Sequence, residues 1–313
     1  YIEKKRLIYM ILSAFLFAAS IYTYHSFRII SPIFFVGLSL IFIYKNIGYR
    51  KNIIVTILLL LVLCLPIFLF SFSAEGSARF SATSVFSELG HLSFFEKIVQ
   101  YPFAILKNYL SYFSFYYLFD TGDGIGRHQI PEFGELFKWQ LPFLLIGIYS
   151  LLKSKGKLMK LIIISMIVIA PLPASLAVPS PHSLRSLLMV LPLMFIVSLG
   201  LIYFFERLRA VKLYAFLILL VLASFEFIFY SHYYYVHYPQ VNQRDWGAGY
   251  KEIVVGANDR EDEFDHIIVD KNLNFAPIYF KFYSDINPQM VDVTWEKPNE
   301  WGNESVLYIR PFY

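Results

Sequence analysis

Apolar residues dominate long uninterrupted runs of this chain, and short polar or basic stretches separate them. Seven such runs, 7–23, 29–45, 52–71, 137–152, 158–177, 186–205 and 212–231, read as membrane-spanning helices. The first, second and fourth are short: about 16 residues at a rise of about 1.5 Å reach only ~24 Å of a hydrocarbon layer ~30 Å thick. The pattern then changes at 72–136. There 101-YPFAILKNYLSYFSFYYLF-119 is aromatic with a single charge, Lys107, and its helical spacing predicts an interfacial helix or one that packs back on the bundle. It is followed by 120-DTGDGIGRHQIPEFGEL-136, whose four glycines and one proline forbid a regular element and predict a shaped loop. Past about residue 238 the long apolar runs stop. Strand-like segments appear at 266–270, 290–295 and 305–310, and helix-like ones near 247–258 and 275–283.

The fold class this predicts is an all-α multi-spanning membrane helix bundle with a small extracytoplasmic α/β appendage at the C-terminus. The domains are a bundle over 1–238, with an outer segment at 72–136, and a tail over 239–313. Composition agrees: of 313 residues, 57% are hydrophobic and only 16% charged, against about a quarter charged in a soluble domain. The first apolar run lacks a small-residue cleavage pattern, so it does not read as a cleaved signal peptide. The lone cysteine, Cys64, lies inside an apolar run and excludes an internal disulfide framework.

Charge sets the orientation. Basic clusters at Lys4, Lys5 and Arg6, at Lys45, Arg50 and Lys51, at Lys153, Lys155, Lys157 and Lys160, and at Arg207, Arg209 and Lys212 all fall on one side of the alternating spans. The positive-inside rule makes that side the cytoplasm. The loops 24-YHSFR-28, 72–136 and 178-VPSPHSLRS-186 and the tail then face outward, in a multi-pass protein of the cytoplasmic membrane with its C-terminus outside. The net charge of +4 conceals an asymmetry, since residues 240–313 hold 7 basic and 13 acidic groups. Asn303-Glu304-Ser305 fits a glycosylation triplet, a pattern common by chance.

No Walker, zinc-protease, CxxC or nucleophile-elbow motif is present. Intramembrane charge is nearly absent apart from Glu226, which disfavours an ion-coupled transporter. Polar groups gather instead on the outer face: Tyr24, His25 and Arg28; Asp120, Asp123, Arg127 and His128; His182 and Arg185. Arginine suits a phosphate, because its planar fork donates paired charge-assisted hydrogen bonds. The VPSPHSLRS loop ends where a helix begins, which adds free N–H donors. An anion pocket at headgroup depth is therefore expected, with Arg28, Arg127, His128, His182 and Arg185 as its residues. Each arginine taken alone also fits a side chain snorkelling to headgroups. No metal ligand set and no cofactor are expected.

The stretch 119-FDTGDGIGRHQIPEFGELFKWQLPFLLIGIYSLL-152, with 22-YTYHSFR-28, PHSLRSLLMVLP and 237-HYPQVNQRDWGAGYKEIV-254, resembles the later part of membrane glycosyltransferases of the GT-C fold. These are the relatives of protein O-mannosyltransferases and of the aminoarabinose transferase that modifies lipid A. The resemblance implies transfer of a sugar from a polyprenyl-phosphate donor to an exterior lipid, glycan or protein acceptor, with the lipid phosphate leaving. It also implies a catalytic carboxylate in a first outer loop with no counterpart here, hence expected upstream of Tyr1. Asp120 and Asp123 are the internal substitutes, although their glycine-rich setting favours a turn in which an aspartate bonds its own backbone. The partners implied are the donor, the acceptor and membrane lipids, with no nucleic acid. The competing readings are a transporter or flippase of a lipid-linked glycan, and a surface-polysaccharide polymerase or ligase.

Overall fold

The computed structural model describes residues 7–45, 50–208, 211–260, 263, 267–270, 276–283, 291–296 and 306–311. Two compact units divide the chain, Tyr1–Tyr233 and Tyr234–Tyr313. Lys4, Lys5, Arg6, Arg209 and the Asn303-Glu304-Ser305 triplet lie outside the described residues.

The first unit is a helical bundle. Helices α1 (Leu7–Thr23), α2 (Phe27–Lys45) and α3 (Arg50–Phe70) lead into α4 (Ala74–Thr83), the single turn α5 (Val85–Glu88) and α6 (Phe94–Ser111). After the 120–136 loop come α7 (Leu141–Lys153), α8 (Lys157–Ile169), the turn α9 (Leu172–Ser175), α10 (Val190–Arg207) and α11 (Lys212–His232). Among the described residues four segments are long and apolar enough to cross a membrane: Lys51–Phe70, Lys157–Ser175, Ser183–Arg207 and Lys212–Val241. They coincide with the third, fifth, sixth and seventh of the expected spans. The first and second are shorter apolar helices, Leu7–Thr23 and Phe27–Ile41, and the fourth is the 13-residue α7, preceded by a 3-10 turn over Lys138–Gln140. A short apolar helix stays in place by packing on its neighbours.

That packing is visible in each case. Ala14 and Ala18 let α1 sit closely on its neighbours, in one buried cluster with Phe35 of α2 and Leu60 of α3. The hydroxyls of Ser20 and Ser31 share a 2.6 Å hydrogen bond, which pairs two polar groups away from water. Helix α7 lies against α10 at two glycines. A Cβ on Gly147 would stand 1.9 Å from the Ile196 carbonyl oxygen, and one on Gly200 would stand 1.9 Å from that of Phe143. Small residues at a crossing let backbones approach, which is how apolar helices gain dispersion contacts in a lipid solvent. The main core forms around this contact, with Phe143, Leu144, Leu193, Ile196 and Val197. Helix α11 buries no residue.

Glu226, the charge that stood out within an apolar run, has a structural partner. Its two carboxylate oxygens accept from the backbone N–H groups of Lys138, at 2.7 Å, and Trp139, at 3.1 Å. It thereby satisfies the free donors at the start of the turn leading into α7 and complements its positive end.

The helical part of 101–119 packs back on the bundle, one of its two expected forms, with Asn108 Nδ2 donating to the Ser175 carbonyl at 3.3 Å. Helix α6 starts earlier, where Glu96 accepts from the Ser93 backbone N–H at 2.9 Å, and it ends at Ser111. The aromatic run then closes in a π-turn over Tyr116–Asp120. Tyr112 and Tyr117 are buried, whereas Tyr116 is exposed, so the run is part core and part outer surface rather than one amphipathic helix.

In the second unit, α12 (Tyr238–Val241) and α13 (Tyr250–Asn258) precede α14 (Ala276–Tyr283). Tyr250 stacks on Tyr279 with ring centres 4.1 Å apart. Strands β1 (Ile267–Asp270), β2 (Val291–Glu296) and β3 (Val306–Pro311) pair antiparallel in the order β1-β3-β2.

Candidate functional site

Two loops of the first unit meet. The 120–136 loop turns back on itself through Gly122 and Gly124, both at positive φ, and Glu132 also sits there at φ 71°. The other loop runs from α9 to a 3-10 turn over Ser183–Met189 and contains two cis prolyl bonds, before Pro179 and Pro181. Asp123 joins them. One carboxylate oxygen accepts from the Ile125 N–H at 2.9 Å, the local turn expected of it. The other takes the Ser183 N–H at 2.8 Å and His128 Nδ1 at 2.7 Å. The Asp123 side chain exposes no surface. Ser183 Oγ also donates to Glu135, and the Tyr117 and Ser186 hydroxyls bond at 2.8 Å. The rings of His128 and His182 lie 4.6 Å apart.

The electrostatics of this cluster divide its carboxylates. Burial alone raises the Asp123 carboxyl, but the Ser183 N–H, His128 and the Ile125 N–H outweigh it and hold it below its ordinary range. Glu135 is raised, first by burial and also by the Asp123 charge. His182 is pushed down to about 4 by burial, then by Arg185 and His128, so its ring is neutral at pH 7. Tyr117 is raised, mainly by burial.

Beside this cluster opens a cleft of about 300 Å³. The turn between α1 and α2 gives it Tyr24, His25, Ser26 and Arg28; α4 gives Arg79; the loop after α9 ends in Arg185. One wall is held by backbone pairing, with the Val178 N–H on Thr83 O at 2.7 Å and the Val85 N–H on Leu176 O at 3.0 Å. Three guanidinium groups and no carboxylate line the cleft. Among the described residues none of the three forms an ion pair. Arg185 Nη1 donates to the Val178 and Pro179 carbonyls, each at 3.2 Å, while its own carbonyl accepts from Ser26 Oγ at 3.1 Å. Arg28 Nε is buried without a hydrogen-bond partner. Burial, then Arg28 and Arg79, lower the His25 imidazole and favour its neutral form. Three guanidinium groups without a carboxylate in a partly desolvated cleft are chemically suited to an anion. A second cleft, apolar and of about 310 Å³, shares Tyr24, Ser26 and Arg185 with the first and is otherwise lined by Phe27, Ile30, Leu184, Leu187 and Leu188.

The single pocket expected from sequence is thus two sites. Arg28 and Arg185 line the cationic cleft, whereas His128 and His182 belong to the Asp123 cluster. Arg127 is not among the residues lining the cleft. Asp120 pairs with Lys138 at 3.3 Å in a partly exposed ion pair. The structure adds Arg79, Glu135, Ser183 and Tyr117. Arg79 has one signal in the sequence: it is the only lysine or arginine between residues 72 and 96. Nothing in the sequence pairs Ser183 with Asp123. A carboxylate oxygen of Asp123 and a ring nitrogen from each of His128 and His182 lie within 4.8 Å of one another, a grouping not anticipated from sequence.

No protein-family model matches the chain, and no curated protein and no solved structure matches it either.

Proposed function

We propose that this membrane protein binds a phosphate-bearing polyprenyl lipid and acts as a glycosyltransferase, moving a sugar from a lipid-phosphate donor to an acceptor on the outer side of the cytoplasmic membrane. One observation carries the reading: a cleft with three arginines and no carboxylate continues, through Tyr24, Ser26 and Arg185, into an apolar groove. An amphiphile with an anionic head and a hydrocarbon chain is complementary to both parts at once. In transfer, Arg28, Arg79 and Arg185 neutralise the charge that grows on the departing phosphate, the role that preorganised cationic groups play in phosphate-leaving chemistry. Asp123, ionised and bonded to His128, is the carboxylate assigned here to receive the acceptor's proton. The expected outward orientation of the 178–186 loop and of the C-terminal unit belongs to this reading.

The test is direct binding. The full chain in detergent is titrated with a short-chain polyprenyl phosphate and with the matching uncharged polyprenol. A charge-assisted contact is typically about 1.5–3 kcal/mol, so Arg79→Ala and Arg28→Ala should each weaken phosphate binding at least ~10-fold. Equal binding of phosphate and alcohol, or unchanged affinity in both variants, refutes the assignment. Release of free polyprenyl phosphate from a glycosylated donor separates transfer from translocation, in which the sugar–phosphate bond survives.

A further inference from the structure

We propose that Asp123, His128 and His182 bind a divalent transition-metal ion, with zinc the best match to the donor set. Three observations converge. A carboxylate oxygen and two imidazole nitrogens lie within 4.8 Å of one another. An ion with bonds of about 2.0–2.2 Å holds its ligand atoms roughly 3–4 Å apart, so small side-chain rotations complete the shell. His182 is only 9% exposed, yet its Nδ1 is buried and has no hydrogen-bond partner. Buried polar nitrogens are nearly always paired, and a metal bond is a partner that a lone pair on this ring lacks otherwise. Finally, the carboxylate is already aimed, because the Ser183 and Ile125 N–H groups at 2.8 and 2.9 Å fix its plane. Such backing of a ligand is the usual outer layer of a metal site.

Two imidazoles and a carboxylate suit zinc, and hard cations such as magnesium prefer all-oxygen shells. The ligands come from different loops, so the ion would tie residues 123–128 to the 178–186 segment. That segment carries Arg185, whose backbone N–H bonds the His182 carbonyl at 3.1 Å. The metal would therefore fix the turn that presents one wall of the cationic cleft.

The full chain, freed of its affinity tag and stripped with a chelator, is titrated in detergent with Zn²⁺ and with Co²⁺. The expected result is one zinc per chain by elemental analysis, visible Co²⁺ d–d bands, and a higher unfolding temperature with Zn²⁺. His128→Ala and His182→Ala should each lower zinc affinity at least ~10-fold. Arg79→Ala should bind zinc unchanged, which keeps this test separate from that of the phosphate cleft. Absence of Co²⁺ bands and of any zinc-dependent stabilisation in the unsubstituted chain, a result that needs no variant to fold, overturns the proposal. So does unchanged affinity in both folded histidine variants. In either case the cluster is an Asp–His hydrogen-bonded pair only.

Discussion

Asp123→Asn tests whether one carboxylate joins the two outer loops. The substitution preserves size but replaces one acceptor oxygen with an NH2 group. In the native protein one oxygen receives Ile125 N–H and the other receives both Ser183 N–H and His128 Nδ1, all at 2.7–2.9 Å. Asparagine can serve one side or the other. At least one backbone donor then faces another donor in a place that exposes none of the side chain to solvent. Hydrogen bonds to a charged group contribute about 1.5–3 kcal/mol each. His128 can recover one bond by changing tautomer, so the net loss is about 2–3 kcal/mol. For a chain of 313 residues that lowers the unfolding temperature by roughly 3–5 °C. The assay is thermal unfolding of the detergent-solubilised chain in chelator-containing buffer, from pH 3 to 8. The sign follows from the depressed Asp123 carboxyl. Its contribution is fully present above the ordinary aspartate value of about 4 and is lost as pH falls through the lower folded-state value. Glu135 is raised by burial and also by the Asp123 charge, so removing that charge relieves part of the Glu135 penalty where Glu135 is ionised. The difference between the two proteins should therefore persist from pH 5 to 8, easing toward the upper end, and shrink below about pH 4. No difference at pH 7, or one that stays constant down to pH 3, refutes the role.

Gly200→Ala should lower the unfolding temperature by several degrees, since a Cβ 1.9 Å from the Phe143 carbonyl forces α7 and α10 apart and overpacking costs about 1–3 kcal/mol. Gly37→Ala, with nothing within 4 Å, is the control and should be neutral or mildly stabilising; equal behaviour of the two would discredit the close crossing. For topology, in a Cys64→Ala background, Ser180→Cys should react with a membrane-impermeant thiol reagent in intact cells while Lys155→Cys stays silent. The reverse pattern inverts the orientation.

The apolar runs at 52–71, 158–177, 186–205 and 212–231 could be read from sequence alone. A spanning helix satisfies its own backbone hydrogen bonds, so length and hydropathy are local properties that predict it. The shaped loop at 120–136 was legible for a similar reason, because Gly122 and Gly124 supply the positive φ its turns need. The role of Glu226 was not legible, since its partners Lys138 and Trp139 are nearly ninety residues away. The site follows the same rule. Sequence placed Arg28 and Arg185 on one outer face by counting spans, yet it merged them with His128 and His182. Only the tertiary structure separates these groups, because Asp123 bonds His128, whose ring lies 4.6 Å from that of His182, while α4 delivers Arg79 to the cleft. A basic side chain declares its charge in the sequence. Whether a carboxylate lies beside it to cancel that charge is decided by how distant segments pack, and here that decides which groups are left with positive charge to offer a ligand.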